Sequence, residues 1–238
     1  MNTVKYEKLK TQTIAHRGLS GIECENTCAA FTAAGNRSYF GIETDVHITA
    51  DGKFAVIHDD DTTRVSATNL EVEKNTLAAL RKIILKRKDG YQRGDYIIPT
   101  LEEYIGICKR YEKTAVLELK NHYEECDIRK IVDIIRTEKY LDNVIFISFD
   151  LENLKTLRKI LPAQKLQYLV EKFNDYVLQN LKKYKLDIDI WYKELNENTV
   201  KILKSNNIKI NCWTCDVKDD AEKLAKMGVD FITSNILE

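Results

Sequence analysis

Proline and glycine are scarce: two and nine, respectively, in 238 residues. So few backbone breakers leave little room for a flexible linker, and no low-complexity tract or internal repeat marks a second unit. Net charge is also missing. Thirty-seven basic side chains balance thirty-seven acidic ones, so the chain has no overall attraction to nucleic acid or an anionic membrane, and any phosphate recognition must be local. No apolar run is long enough to span a bilayer. The opening "MNTVKYEKLK" lacks the apolar stretch of a secretory signal, and a cytoplasmic location is the expectation. The six cysteines (Cys24, Cys28, Cys108, Cys126, Cys212, Cys215) are therefore expected to be reduced thiols and mostly small apolar fillers. Cys212 and Cys215 form a C-x-x-C, but no second ligand pair accompanies it and "IKINCWTC" reads as a strand.

What the chain does contain is alternation. Short β-branched runs at 11–16, 40–48, 114–119, 143–149, 165–170, 186–192, 208–215 and 229–234 are separated by segments of helical spacing such as "TLEEYIGICKRYEK" and "DIRKIVDIIRTEKY". Thr100, Asp127 and Asn196 sit near expected helix N-caps, and Gly228 sits where a C-terminal cap belongs. Eight strands alternating with helices predict an α/β fold, a TIM (β/α)8 barrel, with residues 1–238 as one domain. One interval breaks the rhythm. About 51–99 is too long for a loop and predicts an insertion after the second strand: a turn at Asp51–Gly52, a strand ending at His58, and helical character from about Asn75 to Lys86.

Polar residues at strand ends need a reason, because barrel strands are buried. Glu43 and Asp45 lie two apart in "GIETDV" and point to one side. Glu118 and Lys120 repeat the spacing in "AVLELK", and His16 ends the first strand before Arg17 and Gly18. In a barrel, the C-terminal strand ends open onto one face, so these residues converge there. Three carboxylates in one cavity repel one another unless protonated or neutralised. One divalent metal ion, Mg²⁺ or Ca²⁺, on Glu43, Asp45 and Glu118 resolves that; ligation of a transition metal through His16 and His58 is the alternative. His16 and His58 suit an acid–base pair near neutral pH. Arg17, the helix starting near Asn26 and Lys120 supply positive character for a phosphate. His47 and His122 are read as structural. The combination points to phosphoryl-transfer chemistry on a small phosphodiester.

These motifs resemble a known family. "HRG", "ENTCAAFTAA", "GIETDVHITADGKFAVIHD", "LELK" and "CWTCD" occur in order from about Thr13 to the end, as in the glycerophosphodiester phosphodiesterases. The resemblance implies a TIM barrel with a small insertion. It also implies metal-dependent hydrolysis of a small-molecule glycerophosphodiester to an alcohol and sn-glycerol 3-phosphate. It makes His16 and His58 the catalytic pair, Glu43, Asp45 and Glu118 the metal ligands, and Arg17 and Lys120 the phosphate-binding cations. Trp213 becomes an aromatic beside the glycerol and Glu25 a supporting acid. Two departures stand out: Cys24 replaces a proline before E-N-T, and "ITSNILE" replaces an I-T-D-x-P ending, which puts closure of the barrel in question. Two other readings remain open on the sequence. One is a lysophospholipase-D- or sphingomyelinase-D-like lipid phosphodiesterase, with an apolar entry lined by Leu77–Leu85. The other is a non-catalytic barrel that binds phosphorylated ligands. The oligomeric state is not legible.

Overall fold

In the computed structural model, which describes residues 2–238, the alternation predicted above folds into a closed barrel. Its first strand, β1 (Gln12–Ala15), pairs in parallel with β2 (Gly41–Ile48) on one side and with β9 (Phe231–Ser234) on the other. Between them run β4 (Thr114–Leu119), β5 (Val144–Ser148), β6 (Lys165–Val170), β7 (Asp187–Trp191) and β8 (Ile210–Trp213), each parallel to its neighbours. This is the TIM barrel. The atypical "ITSNILE" ending does not open it: β9 pairs with β1 along all four residues, Gln12↔Phe231 through Ala15↔Ser234.

Helices α1 (Cys28–Gly35), α3 (Leu101–Arg110), α4 (Glu125–Thr137), α5 (Leu151–Ile160), α6 (Asp175–Tyr184), α7 (Glu197–Ser205) and α8 (Lys218–Met227) separate the barrel strands. Thr100 caps α3 in a full capping box with Glu103, Asn196 caps α7, and Gly228 ends α8 in the left-handed conformation. Two expected caps are displaced. Asp127 lies inside the first turn of α4, whose N-cap is Glu124, and Thr27 rather than Asn26 caps α1. Asn26 is drawn elsewhere, because its amide is committed to a buried carboxylate described below.

Strand side chains alternate between two apolar regions. Ile14, Val116, Ile145, Ile147, Leu169 and Phe231 pack inside the barrel, whereas Ile42, Val46, Leu117, Leu119 and Ile188 face the helices. This period of two sends His16, Glu43, Asp45 and Glu118 inward with Ile14 and Val116.

Between β2 and α3 the chain adds β3 (Phe54–Val56), antiparallel to β2, and α2 (Leu77–Leu80). The expected strand to His58 stops two residues short of it. The expected helical stretch over 75–86 is only the four residues of α2, since the chain turns away after Leu80 to bury Ile83 and Leu85. Leu77, Leu80, Ile83, Leu85, Val65, Tyr96 and Ile98 form a second small core, closed against the barrel by Cys24. Cys24 is fully buried there, a compact apolar filler between the first loop and the insertion.

Candidate active site

The first loop after β1 is shaped by close packing. Gly18 has φ +74°, and a Cβ there would lie 2.7 Å from the Ala30 carbonyl carbon of α1. Only glycine fits both constraints. Arg17 beside it is also left-handed, at φ +54°, a conformation costly for any residue that carries a Cβ. It is held by its own N–H donating to Glu43 Oε2 at 2.8 Å and by Asn26 N–H donating to the Arg17 carbonyl at 3.0 Å. The loop thus fastens the H-R-G corner to β2.

The acids stand on neighbouring strands. Register places Asp45 directly beside Glu118, and Glu43 beside Val116. One carboxylate oxygen from each of Glu43, Asp45 and Glu118 falls within 4.8 Å of the others, all three residues being buried. Arg17 Nε and Lys120 Nζ each lie 3.6 Å from an Asp45 oxygen, and Asn26 donates to Asp45 at 2.8 Å. Burial favours the neutral Asp45 carboxyl, but Arg17 and Lys120 overcome it and hold the group well below the usual carboxylate range. The other two go the opposite way. Burial, then Asp45 and Glu118, push Glu43 well above its ordinary value, and burial and Asp45 raise Glu118 to about 7. Glu118 Oε1 is within ion-pair range of Lys120 Nζ, at 2.9 Å, but lacks an aligned hydrogen bond. Three oxygen donors, two of them with ionisation suppressed by burial and by their acidic neighbours, fit a hard divalent cation.

His16 Nδ1 lies 2.8 Å from Asn235 Oδ1, whose amide nitrogen donates to Asp216. With the amide so oriented, Nδ1 carries the proton and Nε2 is the acceptor, 4.0 Å from Glu43. Burial, then the adjacent Arg17, lower the His16 pKa to about 4. His58 instead pairs Nδ1 with the Asp59 carboxylate; its pKa is lowered, by burial against the pull of Asp45. His47 is buried and bonded to the His58 carbonyl and Glu73, each at 3.2 Å, while His122 is exposed and pairs with Asp150.

Of the nine residues singled out in the sequence, His16, Arg17, Glu43, His58, Glu118 and Trp213 line one cavity of about 120 Å³ at the barrel mouth. Asp45 and Lys120 stand beside its wall, Asp45 3.6 Å from Arg17 Nε and Lys120 Nζ 2.9 Å from Glu118 Oε1. Glu25 accepts from Arg17 Nη1 at 2.7 Å and lines a neighbouring cavity. Ile147, Phe149 and Leu169 make the far side apolar, with Phe149 edge-on to Trp213 at 5.6 Å between ring centroids.

Four contributors escape sequence reasoning. Asp59 and Arg64 are two: Arg64 donates from Nε to Asp59 and from both Nη atoms to Glu25, so one guanidinium clamps the partners of His58 and Arg17. Only the spacing H-D-x-x-x-x-R hinted at it. Asn235, the partner of His16, comes from the last loop. Asp189 hides in an apolar-looking "DIDIW": its Oδ2 is held by Asn211, but its buried Oδ1 has no partner and the residue lines the cavity. Burial, then Glu118, push its carboxyl well above the usual range.

The comparisons with known proteins agree with this geometry. Residues 16–237 match the model of the glycerophosphoryl diester phosphodiesterase family. A glycerophosphodiester phosphodiesterase of Caldanaerobacter subterraneus subsp. tengcongensis is 31% identical over 235 residues, covering 95% of each chain. Among solved structures, an Oleispira antarctica phosphodiesterase in complex with the product sn-glycerol-3-phosphate superposes with a TM-score of 0.86 at 28% identity, over 94% of this chain and 93% of that one. A glycerophosphodiester phosphodiesterase from Parabacteroides distasonis gives 0.83 at 28% identity, over 96% and 94%. With its barrel, its acidic cluster and its H-R-G corner in place, the chain belongs to the glycerophosphoryl diester phosphodiesterase family and is an enzyme of that class.

Proposed function

We propose that the chain hydrolyses glycerophosphodiesters to an alcohol and sn-glycerol 3-phosphate, with His16 and His58 as its acid–base pair. The observation that carries this reading is the convergence of two imidazoles, one guanidinium and the three clustered carboxylates on a single cavity. A barrel that merely bound a phosphate would have no use for two titratable rings. The lipid-phosphodiesterase reading loses its support, because Leu77, Leu80, Ile83 and Leu85 are buried in the insertion's own core and none of them lines the cavity that holds His16 and His58.

Glu43, Asp45 and Glu118 would hold the cation, Mg²⁺ or Ca²⁺, which when bound neutralises charge on a non-bridging phosphate oxygen. Arg17, fixed by Glu25, is placed to donate to a second oxygen. His16 is the base: its amide partner keeps Nδ1 protonated and Nε2 free to take a proton from the attacking hydroxyl, of water or of the glycerol C2 carbon. As the new P–O bond forms, the bond to the alcohol breaks; where the C2 hydroxyl attacks, water then opens the resulting cyclic phosphate at its C2 oxygen to give glycerol 3-phosphate. His58, held at Nδ1 by the Asp59 carboxylate, gives its proton to the departing oxygen. On the apolar side, Trp213 and the unpaired Asp189 oxygen face the glycerol. Six free thiols accord with a reducing, cytoplasmic setting, and among the described residues no helix is long and apolar enough to cross a membrane.

The test is release of glycerol 3-phosphate from a panel of glycerophosphodiesters with Mg²⁺, Ca²⁺ or EDTA. No release under any condition overturns the reading. Two substitutions probe its parts. Arg64→Ala lowers kcat about tenfold by loosening both clamped carboxylates, and Arg64→Lys fails to restore it, since one ammonium cannot serve two carboxylates in a fixed fork. Restoration of kcat by lysine would reduce Arg64 to a surface charge. Asp189→Leu lowers kcat/KM for glycerol-containing diesters about 10²-fold while sparing an ethyl-phosphate analogue without the hydroxyls. An equal loss on both would mean a packing defect.

A further inference from the structure

Beside the barrel mouth lies a second cavity, of about 460 Å³, lined by Arg64, Lys86, Arg87 and Lys88 together with Ser20, Glu23 and Glu25. It is built by the first loop and by a hairpin of the insertion in which Lys86 bridges Gln92 and Gly90 makes the turn. Its acids are already engaged. Glu25 serves Arg17 and Arg64, and Glu23 accepts from the Tyr96 hydroxyl with Arg93 at 3.7 Å. Arg87 pairs with Asp89 at 3.0 Å. Among the described residues Lys86 and Lys88 have no carboxylate partner, so the cavity keeps uncompensated positive charge.

Its position relates it to the reaction. Glu25 lines this cavity and bonds Arg17, which lines the other; Arg64 lines it and holds the Asp59 that orients His58. The inner cavity is far smaller than the several hundred Å³ that enclose a whole medium-sized ligand, so it takes only the phosphate and one adjoining group. With glycerol against Trp213 and Leu169, on the β6–β8 side, the alcohol half projects the opposite way, past the β1 loop and the insertion. That is where the cations stand.

We infer that this basic cavity is the subsite for the alcohol half of the substrate, and that it selects alcohols bearing a second anionic group, a phosphate or a carboxylate. The inference rests on the hydrolytic reading above and adds the substrate class. Lysine ammonium groups are point charges that attract either anion without demanding one geometry, and their contribution is screened by salt.

The experiment compares kcat/KM of the metal-loaded enzyme at low ionic strength on glycerophosphoglycerol, on the same compound carrying a terminal phosphate, and on glycerophosphoglycolate, which carries a carboxylate. At least one anionic substrate is expected to be preferred over the neutral one by about tenfold, in keeping with hydrogen bonds to charged groups. The phosphate and carboxylate arms identify which anion is read. The preference should shrink on raising salt, and the double variant Lys86→Ala/Lys88→Ala should abolish it while leaving turnover of the neutral substrate unchanged. Equal kcat/KM on all three substrates, or an equal loss on all three in the variant, overturns the subsite and leaves the hydrolase reading intact. No glycerol 3-phosphate from any substrate overturns the hydrolase reading itself, and the subsite with it.

Discussion

Replacing either His16 or His58 with alanine lowers kcat by about 10²-fold or more, the usual scale of a lost general acid or base. The two losses should differ in kind. In the proposed mechanism His58 protonates the departing alkoxide, so His58→Ala regains much of its rate on a p-nitrophenyl ester of glycerol phosphate, whose phenolate leaves without a proton. His16, as the proposed base, accepts a proton whatever the leaving group, so His16→Ala stays slow on both substrates. Measuring kcat for each variant on the choline and p-nitrophenyl esters separates the roles. The reverse pattern would exchange the two histidines, and near-normal rates in either variant would remove the pair. The double variant should lose little more than the worse single one, because residues acting as a unit are not additive.

Chelation of divalent metal abolishes turnover, and Glu43→Gln lowers it severely even with metal in excess. The physical ground is the cluster itself: three buried carboxylates within 4.8 Å, with Glu43 and Glu118 pushed up by burial and by their acidic neighbours. A cation that binds only the folded state adds stability of about 2.7 kcal/mol at a hundred times its Kd. Mg²⁺ or Ca²⁺ should therefore raise the Tm of the chelated protein, and Glu43→Gln should blunt the rise. pH gives an independent readout. In metal-free protein, Glu118 binds its proton more tightly when folded than when unfolded, so its contribution to stability declines as pH rises from its ordinary 4.5 through about 7. Bound metal should cancel that slope. Full activity in excess EDTA, with no metal-dependent change in Tm, would take the cation out of the account.

How much of this is legible without coordinates varies by residue. Glu43, Asp45 and Glu118 announce themselves because an acid inside a β-branched run contradicts burial, and a two-residue spacing already states that they share a side. Arg17 and Gly18 are legible as a motif, but the reason for the glycine, a backbone of α1 at contact distance, is tertiary. Asp189 breaks the same rule of burial, yet nothing nearby in sequence marks it as different from Asp187, which lies two residues earlier. The helical expectation over 75–86 fails because a short apolar run has no period strong enough to distinguish a helix from a chain folding onto its own small core.

By itself the sequence determined the parallel barrel, the inward face of each strand and the chemistry types gathered at its mouth, since alternation and burial are local rules. Tertiary structure alone decided the partners. Asn235 reaches His16 across 219 residues of chain and Arg64 reaches Glu25 across 39, and only closure of β9 onto β1 and folding of the insertion over the first loop bring them together. Which tautomer His16 holds, where Arg17 points and what charge surrounds the alcohol all depend on those long-range contacts, because hydrogen bonds and fields act through space and not along the chain.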